Sequence, residues 1–484
     1  MSRTPSFTSL LAATVLGVYL LVVLGATTAL ADAVAACGAW PLCEGPASDP
    51  DVALALGHRL LAVAVGLLGL VTAAVGVRDS AARRVRAALL FAGAVYPLQG
   101  GLGAFVALTG APALLSGAHL AVGMTIFASL ALALAWQLEA ETGSESAAAS
   151  PGDPDPDPGP GPDPDATATG EPTPSTDSDS GSNEAPPTPG RPDGPLARLR
   201  ATVGAYFRLM KPRLMWLLCL VASAGMALAA GPALDVRTIV LTLGGGVLAI
   251  GASGTFNHVL ERDVDRKMAR TSDRPLATHR VPVRNALAFG AALTVTATAL
   301  FLQVNVLAAA LGVAAIVFYS VIYTLVLKPN TVQNTVLGGA AGALPALIGW
   351  VAVTGKIGLP GLALAGVIFL WTPAHFYNLA LAYKEDYERS GFPMMPVVRG
   401  EAETRKHVLL YLAATLLGAA ALAAVTGLGA LYAVTTVVLG GVFVWAVVRL
   451  HRERTRGAAF RAFHASNAYL GALLLAVVID AIAL

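Results

Sequence analysis

The chain has 484 residues, of which 55% are hydrophobic and 13% charged, against roughly 25% charged residues in an ordinary soluble domain. A water-soluble enzyme is excluded. The 32 Lys and Arg against 30 Asp and Glu give a net charge of +2, but residues 139–195 hold 13 acidic groups against Arg191 alone, leaving a balance of +14 elsewhere. A basic apolar body with an acidic insert suits contact with a lipid bilayer and with phosphate; no long basic run stands outside the apolar segments, so nucleic acid is not an expected partner.

In chain order, Arg3 precedes an apolar run longer than the core of a signal peptide, and many further spans follow, so a retained helix is predicted. Hydropathy windows place the first four spans near 8–31, 53–76, 87–109 and 116–138. Cys37 and Cys43 lie close together in the polar loop after the first span, whereas Cys219 is alone in an apolar run, so only the first two are disulfide candidates. Residues 140–195 hold 14 of the 30 prolines together with Asp, Ser and Thr, a composition that builds no core and predicts a disordered linker. Nine more spans follow, near 213–231, 236–259, 285–303, 305–327, 332–353, 360–382, 405–427, 429–448 and 463–484. The expected fold class is therefore an all-α polytopic membrane protein of about thirteen transmembrane helices. Its predicted parts are a four-helix membrane domain over 1–139, an acidic Pro-rich linker over 140–195 and a nine-helix domain over 196–484.

Basic residues gather in alternate loops: Arg78 to Arg86, Arg198 to Arg213, Arg262 to Arg284, Lys384 to Lys406 and Arg449 to Arg461. The positive-inside rule then places the N-terminus and linker in the cytoplasm, with the cysteine loop and C-terminus outside a cell membrane. An outward cysteine pair is one whose disulfide persists.

The most informative stretch is the end of the sixth span, where Asn257, Glu261 and Asp265 recur at i, i+4 and i+8. On a helix this spacing stacks three oxygen ligands on one face. Oxygen-only ligation suits Mg²⁺, which keeps several waters and bridges one or two carboxylates to substrate phosphates; the alternative is an acidic-basic helix end lying among lipid headgroups. Asp263 points elsewhere, and His258, His279 and His407 read as solvated. A second cluster on the same membrane face, Lys384 to Glu388, follows the span containing Trp371-Thr372-Pro373-Ala374-His375-Phe376. Together the two form a candidate site for a Mg²⁺-bound diphosphate, with Asp386 as a second metal ligand and Lys384, Lys328, Arg270 and Arg274 as neutralising cations. Ionisable groups this close to a bilayer are functional candidates by default. Metal and cations stabilise diphosphate as a leaving group, so an allylic C–O bond can ionise, and Tyr319, Tyr323, Trp350, Trp371 and Phe376 are candidates to face the carbocation.

At these motifs the chain resembles the UbiA superfamily of intramembrane prenyltransferases, and within it the protohaem IX farnesyltransferases, over about residues 200–484. Asn257, Glu261 and Asp265 fall on the first Asp-rich motif, and Lys384 and Asp386 on the second. The haem-specific likeness rests on Lys211-Pro212-Arg213, Asp263 to Met268, Arg274-Pro275-Leu276, Asn334-Thr335, Trp371-Thr372-Pro373, His375-Phe376 and Pro393-Met394. Glu261 replaces the family's usual Asp, and Pro329 its usual Arg after Lys328. The resemblance implies a UbiA-type nine-helix fold and Mg²⁺-dependent transfer of farnesyl from farnesyl diphosphate to a vinyl group of haem b, with water completing haem O. His375 is then a candidate to orient or ligate haem iron; the other reading is a bond to a neighbouring carbonyl.

In the first part, His58 and His119 lie at similar depth in spans two and four, a spacing compatible with a bis-histidine haem site or with two unrelated interface histidines. With Cys37 to Cys43 around Trp40-Pro41-Leu42 and with Gln99, this part resembles one half of haem A synthase, although Ala55 stands where that family carries a carboxylate. The resemblance implies haem binding, and a haem A synthase or terminal oxidase assembly as a partner. Two rivals remain: prenylation of a quinone-type aromatic acceptor, and a non-enzymatic haem-handling or transport protein, although no inverted repeat is evident across spans five to thirteen.

Overall fold

The computed structural model describes residues 6–30, 33, 37, 39–43, 45, 46, 48–110, 112–143, 194–269 and 271–483. The predicted linker, except at its two ends, and Arg270 lie outside the described residues. Within the first part, α1 (Phe7–Leu30), α2 (Pro50–Arg78), α3 (Arg83–Leu108) and α4 (Ala113–Gly143) form an antiparallel bundle. Then come α5 (Pro195–Leu209), α6 (Pro212–Ala230), α7 (Val236–Asp265), α8 (Val283–Leu302) and α9 (Val306–Val317). The last of these runs on through a π-helical segment, Phe318–Leu327, into the short α10 (Lys328–Asn330). The remainder is α11 (Asn334–Thr354), α12 (Leu359–Ala382), α13 (Lys384–Ser390), α14 (Met395–Val398), α15 (Glu401–Thr426), α16 (Ala430–Glu453) and α17 (Arg456–Ala483). Thirteen helices among the described residues are long and apolar enough to cross a membrane, so the chain is a multi-pass membrane protein whose fold class follows the hydropathy reading.

Local chemistry sets the helix boundaries. Asp235 accepts from the Thr238 N–H at 2.9 Å and starts α7, and Asn305 does the same for α9 through Ala308, at 2.8 Å; both satisfy an orphan donor of a first turn. The backbone N–H groups of Thr238 and Arg237 hold the exposed Asp235 carboxyl below the usual carboxylate range. Glycine allows a close crossing of α6 and α11: a Cβ on Gly225 would strike the Ala346 carbonyl, and one on Gly349 the Ala222 carbonyl. Small residues of this kind let transmembrane backbones approach.

One apolar core runs through both membrane parts. It joins Leu11 and Tyr19 of α1 and Leu134 and Leu138 of α4 to Leu412 and Leu416 of α15 and Tyr432 and Phe443 of α16. Lys406 of α15 reaches Glu139 of α4 at 3.0 Å, and Arg84 of α3 reaches the same carboxylate at 2.8 Å. The outer faces of α2 and α3 instead expose Leu60, Val63, Leu67, Leu90, Phe91 and Phe105, as helices facing hydrocarbon do.

Candidate functional site

The last turns of α7 carry Asn257, Glu261 and Asp265 on one buried face, at 2%, 6% and 3% exposure. Each is met by a cation from a different element. Lys328, where the π-helical segment ends, reaches Glu261 at 2.5 Å, and Arg274 donates to both oxygens of Asp265 at 2.8 and 2.9 Å. Lys211 donates to the Asn257 Oδ1 and lies 3.2 Å from the Tyr319 hydroxyl. The Asn257 amide donates in turn to Thr324 at 3.1 Å, and the Thr324 hydroxyl to the Tyr319 carbonyl at 2.8 Å.

Two of these cations, Lys328 and Arg274, were expected from the sequence; Lys211 was not. It occupies a left-handed turn, φ 56°, immediately before α6, and the only sequence signal was its place in the Lys-Pro-Arg run. The π-helical segment was also missed. It stands just before Pro329, whose missing N–H leaves a carbonyl of the preceding turn without its helical donor.

The second motif reaches the first through an apolar cap: Met268 packs with Ala380, Tyr387, Phe392 and Met394, and Lys328 Nζ lies 4.4 Å from the Phe392 ring centre. Asp386 is buried and paired with Arg389. Lys384 turns to Glu401 of α15 at 3.2 Å, so the structure does not bring it onto the α7 face. Asp263 is exposed and contacts Arg262 and Arg266.

The expectation of a solvated His258 is corrected, because it is 4% exposed; the turn leading into α6 and the chain after α7 both lie near it. His375 Nδ1 lies 2.7 Å from Ser466 Oγ rather than against a neighbouring carbonyl. Its ring is stacked against Trp371 at 4.3 Å and tilted against Phe463 at 4.4 Å. Both faces are covered, which leaves the Nε2 edge for any ligand. Trp371 donates to the Ser466 carbonyl at 3.0 Å and Trp350 packs on Gly358 and Gly361; of the aromatic candidates, Tyr319 and Phe376 adjoin the two motifs, and Tyr323 stacks on Tyr319 at 5.5 Å.

In the N-terminal bundle, His58 of α2 and His119 of α4 are within electrostatic reach of one another. Their Nδ1 atoms are buried without a hydrogen-bond partner among the described residues. Glycines lie against both rings: a Cβ on Gly25 would come 3.1 Å from the His58 Cε1, and one on Gly103 2.8 Å from that of His119. Gln99 Nε2 lies 3.3 Å from His119 Nε2. Cys37 and Cys43 form a disulfide, and Arg59, beside His58, donates to the carbonyls of Cys37, Ala39 and Pro41 at 3.2, 2.8 and 3.0 Å.

The donor set at the end of α7 fits a hard cation. It offers only oxygen, from two carboxylates and one amide, and among the described residues no group of three or more His, Cys, Asp or Glu is gathered for a metal. Such a site needs water and substrate oxygens to complete it, as Mg²⁺ sites do.

Residues 217–471 match the UbiA prenyltransferase family. The chain belongs to the UbiA prenyltransferase family, whose members are prenyl-transferring enzymes. Among its relatives, the Protoheme IX farnesyltransferase of Haloarcula marismortui is 63% identical, with 100% of each chain covered. The Protoheme IX farnesyltransferase 1 of Saccharopolyspora erythraea is 42% identical over 62% of this chain and 95% of its own. The fold is similar to that of a digeranylgeranylglyceryl phosphate synthase, with a TM-score of 0.51 at 17% identity, covering 58% of this chain and 99% of that one.

Proposed function

We propose that the chain transfers the farnesyl group of farnesyl diphosphate to a vinyl group of haem b, giving haem O. The observation that carries this reading is the buried α7 face, where two carboxylates and an amide meet three cations from three other segments. The naming of the full-length relatives supports the choice of donor and acceptor. Asn257, Glu261 and Asp265, with Asp386 on the second motif, would hold Mg²⁺, which when bound supplies positive charge to the departing diphosphate.

Lys328, Arg274, Lys211 and, from the sequence reading, Arg270 take the remaining diphosphate charge. The allylic C–O bond breaks with its electron pair going to the diphosphate oxygen. The Tyr319 ring and the apolar cap keep water from the allylic cation. The vinyl π pair then forms the new C–C bond, and water adds to the resulting acceptor-side cation and loses a proton to solvent. Lys384 acts from the edge of the site, through Glu401 and the second motif.

The alternation of basic loops supports a site and an N-terminus at the cytoplasmic face of the cell membrane, with the disulfide loop and the C-terminus outside. His58 and His119 form a bis-histidine haem site in the N-terminal domain; their glycine-flanked rings, each with a buried Nδ1 that has no partner among the described residues, support it. A relative that aligns over 62% of this chain and 95% of its own length supports a self-contained transferase part, to which residues 1–139 are joined by the acidic linker. A haem A synthase or terminal oxidase assembly is the partner that would receive the product, and His375 Nε2 is the atom left to contact haem.

Purified protein supplied with haem b and a series of isoprenyl diphosphates should yield a pigment whose mass is that of haem O, in a Mg²⁺-dependent way. Unchanged haem b, with a prenylated quinone-type acceptor formed instead, would reject the reading.

A further inference from the structure

A second polar cluster lies at the same end of the transferase helices, away from the α7 face. Arg405, in the first two turns of α15, is 5% exposed, and His451, near the end of α16, is 1% exposed. Arg454 closes α16 in the left-handed conformation. The three are within electrostatic reach of one another. Glu401 is the carboxylate beside Arg405, and it is divided between Arg405 at 3.4 Å and Lys384 at 3.2 Å. Arg405 Nε is buried with no hydrogen-bond partner among the described residues, and so is His451 Nε2; His451 Nδ1 donates to the Val447 carbonyl at 2.9 Å. A guanidinium removed from water normally has both its charge and its N–H groups answered. Here two cations share one carboxylate, and a guanidinium N–H is left over.

We propose that Arg405, with Arg454 alongside, anchors the carboxylates of the acceptor: the propionate groups that haem b carries on the edge opposite its vinyls. The inference rests on the acceptor reading given above. The planar fork of a guanidinium matches a carboxylate in two parallel hydrogen bonds, which an ammonium does not. The two clusters also stand on different sides of the helix assembly. Arg405 and Arg454 belong to helices that pack on α12 and α17, whereas α7 packs on α6, α8 and α9. The second motif joins them, since Lys384 pairs with Glu401 at one end of it and Phe392 lies against Lys328 at the other. An acceptor held by its acidic edge at Arg405 thus presents the opposite edge, with its vinyls, toward the diphosphate.

The test uses the full chain in lipid nanodiscs, titrated with haem b and with haem b dimethyl ester, whose carboxylates are masked. The wild type should bind haem b more tightly than the ester. Arg405→Gln should weaken haem b binding about tenfold, remove the preference, and leave the affinity for the ester and the KM for farnesyl diphosphate unchanged. Arg405→Lys, which keeps the charge and loses the fork, should weaken haem b binding in the same direction by less, and serves if the glutamine variant fails to fold. Running both in neutral and in anionic lipid separates an acceptor site from a lipid-headgroup site: the preference should not depend on the lipid. A preference undiminished in both Arg405 variants, or one that tracks anionic lipid, overturns the anchor alone; a wild type that binds neither porphyrin overturns the acceptor reading and the anchor with it.

Discussion

Asp265 is tied through both oxygens to Arg274, and that tie makes it the most informative single residue to change. In Asp265→Asn one oxygen and the full negative charge are lost, while the shape of the side chain is kept. Farnesyl transfer is expected to disappear, whereas membrane insertion and the helical circular-dichroism spectrum stay as in the wild type; full turnover in that variant would remove Asp265 from the metal set. Lys211→Met is expected to lower turnover at least about tenfold, because charge-assisted hydrogen bonds are the stronger ones, and steady-state kinetics with varied farnesyl diphosphate would show it. At this scale the sequence was legible where partners share a helix. Asn257, Glu261 and Asp265 are spaced by the helical repeat, so their common face follows from arithmetic alone. Lys211 and Asn257 are 46 positions apart and meet only because the chain turns left-handed before α6, which no local pattern announces. The surroundings of His375 were hidden for the same reason, since Ser466 and Phe463 come from the last helix.

Among the elements, α6 and α11 depend on two glycines facing each other's backbone. Gly349→Ala pushes a methyl group into the Ala222 carbonyl, which cannot retreat as a side chain tip can, and should cost about 1–3 kcal/mol; thermal unfolding in detergent would register it. The α2 and α4 histidines are tested by spectroscopy. Haem added to the wild type should give a low-spin bis-histidine spectrum, and persistence of that spectrum in the His58→Ala, His119→Ala double variant would sink the assignment. Helix positions were readable from hydropathy because a membrane span is a local property of some twenty residues. The π-helical segment was not, because Pro329 marks a gap in the helical hydrogen-bond ladder without saying how the turns before it re-pair.

For the molecule as a whole, the core shared by α1, α4, α15 and α16 predicts one cooperative unfolding event. Tyr19→Ala, at a position with no solvent exposure beside Phe127, should cost about 3–5 kcal/mol and lower the unfolding temperature of both membrane parts together. Calorimetry showing two transitions, with only one of them shifted, would contradict this. The sequence contained the thirteen spans but not this docking: an apolar residue looks the same whether it meets lipid or a helix hundreds of positions away. Docking also has a consequence for traffic. With α1 and α4 laid along α15 and α16, that flank of the transferase is screened from the hydrocarbon, and a long-tailed isoprenoid has no lateral doorway there. It must slip in from the bilayer on another side, where the helices still border lipid.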